Sequence, residues 1–161
     1  AVCTADPHAN HAVVDAILGM TPAAEMPVGV VEPLISDIDA LMAGDNLGAI
    51  SDRLLSYDGE NAWLQKARDG FAHGSKLAAA WIFRQLNESV HYSLKEVFDT
   101  ELRLGANIMR DPEFAEGVRA LLVDKDRQPK WQYDSVHDVP DAVLQTFFQE
   151  AEGAPEMHYP W

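Results

Sequence analysis

Four basic residues lie within twelve consecutive positions, and they are of the types that bind phosphate. These residues are Arg119, Lys125, Arg127 and Lys130. An arginine guanidinium can hold two phosphate oxygens at once, and a lysine ammonium adds a compact positive charge. Trp131 follows directly and offers a flat face on which a nucleotide base could stack. This cluster is the best ligand candidate in the chain, with phosphate as the ligand, and the alternative is a plain charged surface.

Two further groups could bind a cation. His8 and His11 are three positions apart and Cys3 is near them, which is a possible set of metal ligands. We favour the alternative, in which these are surface groups of an acidic N-terminal segment. Asp124 and Asp126 alternate with basic residues, a pattern more typical of a solvated turn than of a cation site. The sequence therefore predicts no bound metal.

One carboxylate and two histidines are candidates for acid–base catalysis. Glu101 lies on the side of a predicted helix that also carries Phe98, and an ion pair with an arginine is favoured there over a catalytic base. The available arginines are Arg84, Arg103 and Arg110. His73 and His91 fall at predicted helix ends, where caps or surface groups are expected. Gly-rich phosphate loops, Gly-x-Ser-x-Gly, His-Glu-x-x-His and Cys-x-x-Cys are all absent, so these motifs indicate no catalytic residue.

The composition fits one domain. The chain has 161 residues, of which 47% are hydrophobic and 24% charged, enough for a single core. It contains no apolar run of about 18 residues and no signal-peptide pattern, so we expect no membrane association. Cys3 is the only cysteine and cannot form an internal disulfide, which favours a reducing compartment. We take the cytoplasm as the expected location.

The net charge of −14 is unevenly distributed. Residues 1–52 hold eight acidic residues and residues 131–161 hold six, and neither segment contains Lys or Arg. All twelve basic residues lie between Arg53 and Lys130, where twelve acidic residues balance them. Because both ends repel polyanions, the charge pattern disfavours nucleic acid and anionic membranes as partners. A local anion site in the balanced middle remains compatible with it.

Helical periodicity runs through the chain. Apolar residues recur at spacings of three and four, and no segment of any length has the alternation of a strand. We predict an all-α fold of about seven to eight short antiparallel helices in one domain over residues 1–161. Its parts are a peripheral helix and loop at 1–32, a helical core at 33–150 and an irregular tail at 151–161. Helices are predicted at about 10–18, 33–42, 45–55, 60–72, 75–87, 93–109, 111–122 and 140–150. The aromatic residues predicted to lie in the core are Trp63, Phe71, Trp81, Phe98 and Phe114.

The sequence marks several helix starts by chemistry. Asp111 and the following Pro112 form a start because the carboxylate caps free amides and the proline needs no hydrogen-bond acceptor. Ser93 and Glu96 form a capping box, and Asp45 is the predicted cap of the third helix. The helix that follows Asp111 has one apolar face, which must be covered by another element. That face comprises Phe114, Val118, Leu121 and Leu122.

The best segment for recognition is Phe114-Ala-Glu-Gly-Val-Arg-Ala-Leu-Leu-Val-Asp-Lys-Asp-Arg-Gln-Pro-Lys-Trp131. It resembles the C-terminal signature of the 3-hydroxyisobutyryl-CoA hydrolases, a branch of the enoyl-CoA hydratase/isomerase (crotonase) superfamily. Residues 93–104 and 84–86 also resemble that branch, and the match is dense from about 76 to 133. One departure is His73-Gly-Ser75, where the branch is expected to have Ser-Pro.

The resemblance implies an incomplete enzyme. In this superfamily an N-terminal ββα spiral supplies the oxyanion-hole amides and the acidic residues, and no such strand-rich segment is visible here. We therefore expect the C-terminal helical portion of a thioester hydrolase of valine catabolism, without its crotonase core and inactive alone. The implied substrate is acyl-CoA, without a cofactor. Lys125, Arg127 and Lys130 would approach the CoA phosphates, whereas Glu101 receives no role.

Two alternatives stay open. The chain could be a non-catalytic helical assembly module that forms a homo-oligomer through uncovered apolar faces. It could also be the same helical portion of an enoyl-CoA hydratase or isomerase, because the residues that choose the reaction would lie outside this chain.

Overall fold

Helices form all the regular structure in the part of the chain that can be described. The computed structural model describes residues 7–20 and 29–151, and no strand occurs within them. The helices there are α1 (Pro7–Gly19), α2 (Ile35–Met42), α3 (Leu47–Leu55), α4 (Ala62–His73), α5 (Lys76–Glu88), α6 (Leu94–Ile108), α7 (Pro112–Val118) and α8 (Asp141–Thr146). Short 3₁₀ turns occupy Glu32–Leu34, Ser89–His91 and Val136–Asp138, and a π turn spans Arg119–Val123. The predicted all-α class is confirmed, and the eight helices of the described residues agree with the predicted number.

Internal contacts divide the chain into two units, 1–40 and 41–161. The first unit contains α1, on which Val14, Ile17 and Leu18 are exposed. The second unit contains α3 to α8 and every predicted anion-site residue. The division into a peripheral part, a core and a tail stays a prediction. No helix in the described ranges has both the length and the apolar character needed to cross a bilayer.

Side-chain caps explain where several helices begin. Asn46 caps α3, because its Oδ1 accepts the amide of Ala49 at 2.9 Å. The prediction of Asp45 as this cap is wrong by one residue. The capping box at α6 is confirmed: the amide of Ser93 donates to Glu96 at 2.7 Å, and Ser93 Oγ accepts the amide of Glu96 at 3.3 Å.

The core of the second unit is centred on Leu77 of α5, Leu104 of α6 and Phe147 just after α8. Asn107 fixes the end of α8, since its Nδ2 donates to three main-chain carbonyls there at 2.9 to 3.2 Å. The side chains packed against this cluster are Trp81, Ile108, Tyr133, Val139, Val143 and Phe148. These contacts pack α5, α6 and the end of α8 against one another.

Three of the five aromatic residues predicted for the core are exposed. Trp63 and Phe98 are each 40% exposed and Phe114 is 44% exposed. Phe71 and Trp81 are partly buried, and Trp81 packs on the core cluster. The prediction failed because periodicity identifies the apolar side of a helix without showing whether another element covers it.

Candidate functional site

The predicted start of α7 is confirmed, and the helix changes form at its end. Asp111 Oδ1 accepts the amide of Glu113 at 2.9 Å, and Pro112 occupies the first turn. After Val118 the helix widens into the π turn, which the hydrogen bond from the Asp124 amide to the Arg119 carbonyl closes at 2.8 Å. Turns of this type are rare and occur frequently at functional sites. The single helix predicted to about residue 122 is therefore an α-helix followed by a π turn.

The apolar face of α7 and the π turn lines an open groove of about 510 Å³, whose other wall is the end of α4. Leu121 and Leu122 are both more than 60% exposed in it. The main lining side chains are Phe114, Val118, Leu121, Leu122, Arg127 and Trp131. The sequence predicted that this face needs cover, and the described residues leave it open. A largely apolar groove with one cation suits a ligand that has an apolar arm and an anionic group.

Trp131 forms a fixed wall of this groove. Its Nε1 donates to the carbonyl of His73 at 2.7 Å, which ties it to the end of α4. A Cβ added to Gly117 would lie 3.2 Å from Cη2 of Trp131. Glycine at this position therefore lets the indole lie directly against α7. The ring is positioned by the chain before any ligand binds.

The turn between α4 and α5 is joined to α7 through one buried carboxylate. Ser75 Oγ accepts the amide of Ala78 at 2.9 Å as the cap of α5, and it donates to Glu113 Oε2. Glu113 Oε1 accepts the amide of Gln132 at 2.6 Å, and the residue is only 8% exposed. Glu113 therefore connects the starts of α5 and α7 with the segment that carries Trp131. The sequence alone does not reveal this role of Glu113, because its partners Ser75 and Gln132 are distant in the chain.

Lys76 is a second structural residue that the sequence did not reveal. It is 5% exposed, and its Nζ donates to the carbonyls of Phe71, Ala72 and Gly74 at 2.8 to 2.9 Å. These carbonyls end α4, where a lysine suits the helix dipole. Burial lowers the pKa of Lys76, although nearby Asp134 and Glu113 act in the opposite direction.

Arg119 is held by acidic side chains of its own chain. Its Nε and Nη2 donate to the two carboxylate oxygens of Glu116 at 2.9 and 2.8 Å, and its Nη1 donates to Asp124 and Asp126 at 2.6 and 2.7 Å. Its Nη2 also donates to the carbonyl of Gln128 at 3.1 Å. Arg119, one of the four basic residues considered as phosphate ligands, is therefore already occupied by acceptors of the chain. The two aspartates lie in an exposed turn, as expected, and both also bind Arg119.

The contacts of Arg119 shift the acidity of its partners. The hydrogen bond from Arg119 and the amide of Lys130 lower the pKa of Glu116 to about 2. The hydrogen bond from Arg119 also lowers the pKa of Asp126. The pKa of Arg119 itself is raised, with the hydrogen bond to Glu116 as the largest cause.

The shift at Glu116 predicts an acid-dependent loss of stability. Its ordinary pKa of 4.5 falls to about 2 in the folded chain, so the stabilisation is complete above pH 4.5 and is lost as the pH falls towards 2. We expect the stability of the wild type to fall towards that of Glu116→Gln across this window. Urea unfolding of both proteins at pH 5.5 and at pH 2.5 measures it. Glu101→Gln, at an exposed carboxylate, is the charge-matched control. A gap between wild type and Glu116→Gln that stays constant with pH would contradict the prediction.

The loop of residues 124–130 contains two residues with left-handed backbone. Lys125 has φ of 57° and Arg127 has φ of 56°. Each such non-glycine residue costs on the order of 1 kcal/mol, so other contacts must hold the loop. The amide of Arg127 donates to the carbonyl of Ala120 at 3.0 Å, and the amide of Gln128 donates to Asp126 Oδ1 at 2.8 Å. The strained positions are two of the predicted anion-binding residues.

The three predicted anion-binding residues do not share one cavity. Arg127 lines the groove. Lys130 lines a separate cavity together with Glu113 and Glu116, and its amide donates to Glu116 Oε1 at 2.7 Å. Lys125 lines neither cavity. All three residues are exposed, and in the described part of the chain no ion pair occupies their side chains.

The remaining candidates are those for acid–base catalysis, which lie at exposed positions or at helix ends, and those for metal binding. Glu101 is exposed, and within the described ranges no ion pair joins it to an arginine, so the expected pair is not observed. Nδ1 of His73 lies 2.8 Å from the carbonyl of Asp69, as expected for a histidine at a helix end. His91 ends a 3₁₀ turn. Residues 7–20 and 29–151 contain no cluster of three side chains that could hold a metal, and Cys3 lies outside the described residues.

Comparison with known proteins decides the family. The family model for enoyl-CoA hydratase/isomerase matches residues 2–148. The chain belongs to this family. It is 34% identical over 115 residues to the mitochondrial 3-hydroxyisobutyryl-CoA hydrolase of Danio rerio, a match that covers 71% of this chain and 30% of the relative. The corresponding protein of Rattus norvegicus is 44% identical over 66 residues, covering 41% of this chain and 17% of the relative.

A solved structure supports the same assignment. An enoyl-CoA hydratase from Rhodobacter sphaeroides 2.4.1 superposes with a TM-score of 0.70 and 26% identity, covering 91% of this chain and 44% of that one. The resemblance stated from the sequence is thereby confirmed. The chain spans about 30% of the length of the Danio rerio relative. The relatives are named as mitochondrial, and the cytoplasmic location expected for this member of the family stays a prediction.

Proposed function

We propose that this chain is the helical C-terminal part of an acyl-CoA thioester hydrolase resembling 3-hydroxyisobutyryl-CoA hydrolase. In this proposal the groove is one wall of the acyl-CoA site, and Lys125, Arg127 and Lys130 meet the CoA phosphates. The observation that carries it is the open apolar groove with Arg127 in its lining. The family and the names of the relatives agree with a CoA thioester as the substrate.

The groove suits the chemistry of this substrate. An acyl-CoA joins a long, weakly polar arm to several phosphates, and the groove joins apolar walls to a cationic loop. Hydrolysis of its thioester needs an attacking water and donors for the developing oxyanion. We assign those groups to the crotonase core that this chain would accompany, and the chain itself to binding and to the exclusion of water. No thioester turnover is expected from the chain alone.

CoA is expected to bind weakly to the isolated chain. Titration with CoA should shift the NMR amide signals of Lys125 and Arg127 and the indole signal of Trp131. Replacing both Lys125 and Arg127 by alanine should weaken this binding at least about tenfold, because a tenfold loss corresponds to about 1.4 kcal/mol and one charge-assisted contact supplies that much.

The matched control is Lys95→Ala, which removes a cation from the exposed side of α6. It should leave the CoA affinity unchanged. CoA that shifts none of the three signals would refute the proposed binding role, and thioester hydrolysis by the chain alone would refute the division of labour with a core.

An assembly module is the second candidate, and one observation favours it. Leu86 of α5 and Leu94 of α6 are each more than 60% exposed, and Ile82 and Phe98 are also exposed on the same two helices. Such side chains are typical of surfaces that pack on another protein. Sedimentation distinguishes the two functions: association that strengthens with concentration and ignores CoA supports assembly, and a monomer that binds CoA supports the proposed function.

A further inference from the structure

Arg119 has no N–H group left for a ligand. A guanidinium carries five N–H groups, and that of Arg119 donates five hydrogen bonds. Two go to Glu116, one each to Asp124 and Asp126, and one to the carbonyl of Gln128. Its side chain remains 30% accessible, so its engagement reflects pairing rather than deep burial. Any influence of Arg119 on an anion must therefore pass through the residues that it holds.

These bonds reach the 124–130 loop at alternating positions. Arg119 binds Asp124, Asp126 and Gln128, and the residues between them are Lys125 and Arg127. Glu116, itself held by Arg119, accepts the amide of Lys130 at 2.7 Å at the end of the loop. Arg119 therefore binds the residues on either side of both left-handed positions, Lys125 and Arg127.

The same hydrogen bonds pair three negatively charged side chains with Arg119. The carboxylates of Glu116, Asp124 and Asp126 each form an ion pair with Arg119. Without that partner, three negative charges would lie beside the exposed cations of the loop and would oppose a phosphate there. With it, the side chains of Lys125 and Arg127 remain available.

We infer that Arg119 is a positioning residue for anion binding: without touching the ligand, it holds the 124–130 loop in the conformation that presents Lys125 and Arg127, and it retains the neighbouring carboxylates. This inference rests on the proposed function. Its distinctive consequence is that the forked geometry of arginine matters in addition to its charge, because an ammonium cannot hold several carboxylates in the same plane.

Arg119→Lys in the complete chain tests this role with two readouts. Trypsin reports the order of the loop through cleavage after Lys125 and Arg127, with products identified by mass so that other cuts are not counted. CoA titration reports affinity. We expect cleavage at these two sites to become at least about tenfold faster and CoA affinity to fall about tenfold, although the charge is kept.

Two further variants make the test decisive. Lys95→Gln should change neither readout, and Asp126→Asn should speed cleavage at the two sites by less than Arg119→Lys does, since Arg119 keeps Glu116. Unchanged cleavage and affinity in Arg119→Lys would overturn the inference, as would an opened loop that binds CoA normally. If the wild type binds no CoA, the proposed function is wrong and so is the ligand-directed role of Arg119, whereas normal binding to an opened loop overturns the role of Arg119 alone.

Discussion

Replacement of Lys76 by methionine is expected to lower the free energy of unfolding by about 2 kcal/mol. The substitution keeps most of the buried side-chain volume and removes the Nζ that donates to three carbonyls at the end of α4. A buried carbonyl left without a donor costs about 1 kcal/mol or more, and relief from burying an ammonium offsets part of the sum.

The measurement is urea unfolding followed by circular dichroism at neutral pH. Lys66→Met is the matched control, since Lys66 lies on the same α4 and is exposed. It should change stability by less than about 0.5 kcal/mol. Equal losses in the two variants would show that the three carbonyl contacts of Lys76 contribute nothing specific. A loss confined to Lys76→Met would establish it as the cap of α4.

Replacement of Glu113 by alanine is expected to cost about 3 kcal/mol, the largest effect that we predict. The carboxylate is nearly buried and accepts from both the Ser75 hydroxyl and the Gln132 amide. Its removal leaves both donors without their acceptor and creates a small void between the starts of α5 and α7. The wall of the groove formed by Trp131 should also become less well fixed, because Trp131 lies next to Gln132 in the chain.

Glu113→Gln separates these contributions. Its amide oxygen can still accept one of the two donors, so about half of the loss is expected. A double-mutant cycle with Ser75→Ala gives the coupling across the hydrogen bond, and Glu101→Ala supplies an exposed control. Additive losses at Ser75 and Glu113 would contradict a direct interaction between them.

Local chemistry in the sequence predicted much of the fold. The capping box of Ser93 and Glu96 and the start at Asp111 depend on residues within one helical turn of each other, so spacing alone reveals them. The apolar face of α7 was found in the same way. Whether that face is covered depends on the path of the rest of the chain, and for this reason the predicted burial of Phe114 was wrong.

The site was predicted less completely, because its decisive contacts cross between segments. Arg119 has the residue type and spacing of a phosphate ligand, and only the return of the chain at Asp124 and Asp126 shows that it is occupied. Lys76 looked like an ordinary helix residue, because its three acceptors belong to the preceding helix. Lys125, Arg127 and Lys130 as CoA-binding residues stay a prediction.

The π turn at Arg119–Val123 changes the angle around the helix axis at which the following residues emerge. A turn closed by a bond across five residues holds one residue more than an α-helical turn, and each residue of an α-helix advances the chain by about 100° around the axis. The direction in which residues 124–130 leave the helix is therefore set by a single inserted position. In a chain with one residue fewer here, the loop cations would emerge about a quarter of a revolution away from the groove, with every other residue unchanged.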